Sequence, residues 1–126
     1  MSHFTMLRTR MMDDATIRRA LSDLDFEVVD GPVKVAGYQG EKAEADFKAV
    51  KWGREIGFRR GDDGWEMIAD WWVVEKAIRQ DKFVQTLTQR YAYLMVVDRL
   101  AAQSFSLATE ERDKDGTIRL VFRGPG

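Results

Sequence analysis

Apolar and polar positions change period several times along this chain, and each change predicts an element. Phe4-Thr5-Met6-Leu7-Arg8-Thr9-Arg10 partly alternates before ending in charge, which suits a strand with one buried face. Asp13 or Asp14 then stands where a helix N-cap belongs. Ile17, Ala20, Leu21 and Leu24 follow at the i, i+3, i+4, i+7 spacing of one helical face, with Arg18, Arg19, Ser22 and Asp23 elsewhere around it. Phe26, Val28 and Val29 predict a short strand that Asp30-Gly31-Pro32 brings to a turn, because proline has no amide hydrogen to give a ladder. Val33, Val35 and Tyr38 continue weakly. Residues 37–46, rich in Gly, Glu and Lys, carry the least pattern and are expected to form a mobile loop.

From Phe47 the pattern sharpens. Phe47, Ala49, Val50 and Trp52 lead to Gly53, and Ile56 and Phe58 lead to Gly61-Asp62-Asp63-Gly64, followed by Trp65-Glu66-Met67-Ile68-Ala69-Asp70. A four-residue Gly/Asp turn between aromatic-rich strands signals a hairpin, with Asp62 and Asp63 read as turn chemistry. The long helix is expected from about Asp81 to Gln103, with Val84, Leu87, Tyr91, Leu94, Met95, Asp98 and Ala102 near one stripe. A last hairpin runs from Leu107 to Glu111, turns at Asp113-Lys114-Asp115-Gly116, and returns over Thr117 to Phe122 with Ile118, Leu120 and Phe122 inward. This order predicts an α+β fold, a single compact domain over residues 1–123 in which an antiparallel or mixed sheet packs with one short and one long helix, and residues 124–126 form a flexible tail.

Composition narrows the chemistry. The 126 residues, 44% hydrophobic and 33% charged, are enough for a core that hides roughly two-thirds of the unfolded surface without a metal or disulfide staple. Cysteine is absent, which removes thiol nucleophiles, thiolate zinc sites and disulfides and fits a reducing cytoplasm. No apolar run approaches a membrane span and no secretion signal opens the chain, so no membrane partner is expected. Twenty Lys plus Arg against twenty-one Asp plus Glu leave a net charge of −1, so any nucleic-acid binding needs a local patch. There is no phosphate-binding glycine loop, and one histidine without cysteine cannot assemble a triad or a histidine metal site within one chain. No cofactor is expected.

Three short motifs carry a family resemblance: Met1-Ser2-His3-Phe4, the stretch from Gly64-Trp65 to Asp70-Trp71-Trp72, and Gln89-Arg90-Tyr91-Ala92-Tyr93. Together they resemble the hypothetical chloroplast reading frame 35 family of cyanobacteria and plastids, over essentially the whole chain. That family is uncharacterised, so the resemblance implies a soluble location and no reaction.

The candidate binding residues are therefore read from residue chemistry. Trp71 and Trp72, read as extended backbone after a strand, point to opposite sides, so one fills the core and its twin seeks other cover. The competing expectation buries both rings beneath the long helix. Tyr91 and Tyr93 cannot share a helical face, which leaves one of them outward beside Arg90. Trp71, Trp72, Arg90 and Tyr93, with His3 of the first motif, form the expected interaction set, because Trp, Tyr and Arg dominate binding hot spots. The leading reading is a non-enzymatic cytoplasmic accessory protein that binds another protein or itself. The runner-up is a nucleic-acid-binding module that gathers Arg8, Arg10, Arg18, Arg19, Arg59, Arg60, Arg119 and Arg123 on a sheet face. A third class is a small-ligand binder or enzyme working from carboxylates and tyrosines.

Overall fold

A line of paired residues, Leu7, Met67, Phe58 and Phe47, crosses four strands and forms the spine of the core. These strands belong to a computed structural model that describes residues 3–103 and 106–124, with side chains described for 3–103 and 108–124. Met1, Ser2, Pro125 and Gly126 lie outside the described residues, and so does the side chain of Leu107. The elements are β1 (Phe4–Arg8), α1 (Asp14–Asp23), β2 (Glu27–Ala36), β3 (Lys42–Lys51), β4 (Arg54–Arg60), β5 (Trp65–Asp70), α2 (Trp71–Val74), α3 (Gln80–Ala102), β6 (Ser106–Arg112) and β7 (Ile118–Arg123). The class is α+β. The chain separates into two units, Met1–Tyr91 and Ala92–Gly126.

The first unit holds an antiparallel sheet in the order β1-β5-β4-β3-β2. One face is covered by helices. Asp13 occupies the N-cap position of α1, where its backbone carbonyl accepts from the Ile17 amide and its carboxylate from the Thr16 hydroxyl. The expected apolar stripe of α1 is then wholly buried at Ile17, Ala20 and Leu21, side chains of the kind that contribute about 1.5–3 kcal/mol each when large and fully covered. Arg18 of α1 lies 4.2 Å from the centre of the Phe47 ring, which stacks on Phe58 at 5.0 Å. Phe83, near the start of α3, packs on Phe26 and Trp71. The Tyr91 hydroxyl accepts from the amides of Met12 and Asp13.

Two expectations are corrected on the other face. Asp30-Gly31-Pro32 does not end its strand: β2 continues to Ala36, and Gly31 and Pro32 together oppose Asp46 in a bulge between the Asp30↔Phe47 and Val33↔Ala45 pairs. Proline is tolerated there because β2 is an edge strand, whose outward amides have no ladder partner. Residues 37–46 are not a mobile loop either. They are a tight turn, closed by the Gly37 amide donating to the Glu41 carbonyl, and the first half of β3.

Beyond the bulge the β2–β3 hairpin bends over the sheet as an arm. Val35 and Ala45 pack on Ile68, with Phe4, Val33 and Ala43 around them. The close approach needs Gly57: a Cβ there would lie 2.5 Å from Val35 Cγ2 and 2.9 Å from Ile68 Cγ2. Polar ties run along the arm. The Ala36 amide and Lys48 Nζ both donate to Glu55 Oε1, and Arg59 Nε donates to the Glu44 carbonyl.

The two-residue turn between β3 and β4 places Trp52 at φ 54° and Gly53 at φ 71°. Positive φ at both positions is the hairpin turn that favours Asn-Gly, so tryptophan breaks the local rule there. In the second unit β6 and β7 pair as their own sheet. Ile118, Leu120 and Phe122 alternate with exposed Arg119, Val121 and Arg123, as the sequence pattern predicts. In its turn, the Thr117 amide and hydroxyl hold the Asp115 carboxyl below its ordinary range.

Two substitutions test this packing. Gly57→Ala forces a methyl group into the arm contact and is expected to destabilise the protein by about 1–3 kcal/mol in chemical denaturation. Trp52→Asn relieves the turn and is expected to stabilise it by about 0.5–1 kcal/mol.

Candidate functional site

The arm, β1 and α2 meet at one buried carboxylate. Asp70 ends β5, is 0% exposed, and caps α2 by accepting from the Val73 amide at 3.4 Å, the side-chain bond that Asp makes readily at an N-cap. Its second oxygen accepts from the Tyr38 amide at 2.9 Å, which fastens the tip of the arm. Gly37 makes room for this, because a Cβ on it would lie 2.8 Å from the Phe4 ring and 3.1 Å from the Asp70 carboxylate. Phe4 is itself the register partner of Asp70, so the residue before it, His3, reaches the same corner.

Three rings therefore converge from distant parts of the chain. His3 stacks on Trp72 with centroids 5.3 Å apart and planes at 22°, and Tyr38 meets Trp72 edge-on at 4.6 Å. His3 and Tyr38 are 5.8 Å apart, also edge-on. Lys76 Nζ lies 4.5 Å from the centre of the Trp72 ring. Each aromatic contact contributes roughly 0.5–1.5 kcal/mol beyond its buried area, and the exposed cation–π contact about 0.5–1 kcal/mol. Trp72 nonetheless remains 51% exposed and Tyr38 38% exposed. The result is an aromatic platform held from several sides and open on its top.

The structure divides the expected interaction residues. Trp71 and Trp72 do part company, although the reason is helical: they occupy the single turn of α2, where successive side chains diverge by about 100°. Trp71, 7% exposed, turns inward against Phe83, and the exposure of Trp72 overturns the expectation that both rings are buried. Arg90 is held by Asp23, the last residue of α1, at 2.8 Å. Tyr93 is half-buried in the second unit. Of the set, His3 and Trp72 come together in one stacked pair. Sequence reasoning misses Tyr38, Lys76 and Asp70, because the pattern of residues 37–46 predicts a loop and that of residues 65–70 a strand.

The arginines proposed for a basic face are interleaved with acids and carbonyls. Arg8 lies 3.6 Å from Glu66, Arg18 pairs with Asp14 and Asp30, and Arg59 is bonded to the arm. A cleft of about 80 Å³ beside the β4–β5 turn is lined by Arg8, Thr9, Asp62, Asp63, Gly64 and Glu66. Among the described residues no three His, Asp or Glu side chains are grouped to hold a metal ion. Nor is any helix among them long and apolar enough to cross a membrane.

Fold and site together define a small α+β protein whose distinguishing surface is an exposed aromatic corner. The family model for a protein of unknown function, DUF1257, matches residues 20–121, and the chain belongs to that family. Uncharacterized protein ycf35 of Cyanophora paradoxa is 32% identical over 124 residues, spanning 98% of this chain and 97% of the relative. The proteins of the same name from Pyropia yezoensis and Guillardia theta are 28% and 27% identical, each with 98% of this chain and 97% of the relative covered. The resemblance to the chloroplast reading frame 35 family is thus borne out. No solved structure matches the chain. The family model covers Tyr38, Asp70, Trp72 and Lys76 and leaves His3 outside its span.

If Asp70 is the fastening point, Asp70→Ala loses both a helix cap and the tie to the arm. It is expected to cost about 2–4 kcal/mol, with hydrogen exchange at the Tyr38 amide accelerated beyond that of the β4 and β5 amides. Asp70→Asn keeps one acceptor oxygen but turns an NH2 group toward the other amide, so it is expected to lose one of the two bonds and to fall between the parent and Asp70→Ala.

Proposed function

We propose that this chain is a non-catalytic accessory protein that binds another protein, or a second copy of itself, through the His3–Tyr38–Trp72 platform. The observation that carries the reading is the state of Trp72, half exposed yet held by His3, Tyr38 and Lys76. A large ring fixed before binding loses little rotamer freedom on contact, which is why such residues serve as anchors. The neighbouring edge strand β1 supports it, since Thr5 and Met6 are exposed beside the platform. Arg90, bound to Asp23, contributes by holding α3 to α1 in this reading.

The test combines sedimentation of the purified chain with capture from an extract of its own cells, at low and high salt and with nuclease-treated controls. Trp72→Ala is expected to weaken the association tenfold or more, a loss of roughly 2 kcal/mol, and to melt several degrees lower for want of its ring contacts while remaining folded at the assay temperature. Association that survives Trp72→Ala unchanged overturns the reading. Retention that nuclease abolishes points instead to a nucleic-acid-binding module.

A further inference from the structure

A second surface of the first unit stands apart from the platform. A groove of about 330 Å³ opens between the Trp52 turn and the connection from α2 to α3, within the usual range for small-molecule sites. Its floor is apolar, made by the buried rings of Phe26 and Phe83 and by Ile78. Its rim carries Lys51, Arg79 and Lys82, and no Asp or Glu lines it. Arg79 is answered by Asp81 at 3.3 Å. Lys51 Nζ donates to the Leu24 carbonyl and lies 5.0 Å and 4.6 Å from the centres of the Phe26 and Trp52 rings; among the described residues neither the Lys51 nor the Lys82 ammonium has a carboxylate partner, although the Lys82 backbone amide donates to Asp81 Oδ1 at 2.8 Å.

Trp52 supplies a separate observation. It is 69% exposed and sits at φ 54°, in a turn where a smaller residue would be less strained, and it forms one wall of the groove. Local strain offset only by the Lys51 contact points toward function. A partner protein needs a far larger contact than this groove offers, whereas a small aromatic molecule matches its volume and its aromatic lining. We propose that the groove binds a small aromatic carboxylate, its ring against Trp52 and Phe83 and its charge toward Lys51 and Lys82.

The experiment is calorimetric titration of the full chain with naphthoate, and with the uncharged naphthamide as control, alongside amide chemical-shift mapping. Naphthoate is expected to bind one-to-one with a Kd on the order of 1 mM or tighter, and naphthamide roughly fivefold more weakly. Shifts are expected at Ala77, Ile78, Lys82 and Thr86. Lys82→Gln, on an exposed side chain, is expected to weaken naphthoate roughly threefold and to remove its salt dependence in part. Trp52→Asn is expected to weaken both probes up to about tenfold while the fold melts no lower. Equal binding of the two probes, unchanged affinity in both variants, shifts centred elsewhere, or no saturable binding each overturns the proposal. None of these outcomes bears on the platform, which Trp72→Ala tests separately.

Discussion

A carboxylate with no access to water has to find its hydrogen bonds inside the protein, or ionising it costs several kcal/mol. Asp70 finds them at the one corner where four pieces of chain meet. Its bond to the Val73 amide starts α2, which turns Trp71 inward and Trp72 outward. Its bond to the Tyr38 amide brings the arm tip back across the sheet. Its register partner Phe4 sets β1, and with it His3, alongside. The aromatic platform is therefore a by-product of satisfying a buried acid: none of its three rings is near another in sequence.

The arm also solves a packing problem. The helices cover one face of the sheet and leave Ile68 and Gly57 on the other. Val35 and Ala45 close that face from within the same sheet, through a bulge that lets β2 bend and a glycine that lets β4 be approached. Small residues at the crossing and polar ties at Glu55 and Glu44 keep the arm in one position. A binding surface built on such an arm inherits its order from the core, which distinguishes it from a surface carried on a loop.

Much of this was legible. The α1 stripe, the Gly61–Gly64 turn, the long helix and the last hairpin followed from period and turn chemistry alone. The arm was not, because Gly31-Pro32 and the Gly-rich tip read as strand breakers. The contrary signal was present: Ala43, Ala45, Phe47 and Ala49 alternate with Lys42, Glu44, Asp46 and Lys48, a clean two-residue period muted only because alanine is weakly apolar. The site was legible in part. His3 and Trp72 were singled out as residues, but their meeting depends on the β1–β5 register and on Tyr38, and long-range register is not written in local pattern. Trp71 illustrates the reverse case, a ring whose chemistry suits an interface and whose position belongs to the core.

The two borders of the sheet are unlike. Along β2 the proline, the bulge and the exposed charges of Glu27, Asp30 and Lys34 spoil the row of backbone donors and acceptors that another strand would need. Along β1 no proline interrupts the row. Among the described strands, β1 is therefore the border that carries none of these devices. Two such sheets meeting about a two-fold axis would consume both available borders and stop, whereas sheets open on both sides can add members without limit. The misplaced-looking Pro32 thus acts on one border as a chain terminator acts on a polymer, closing it to a further strand.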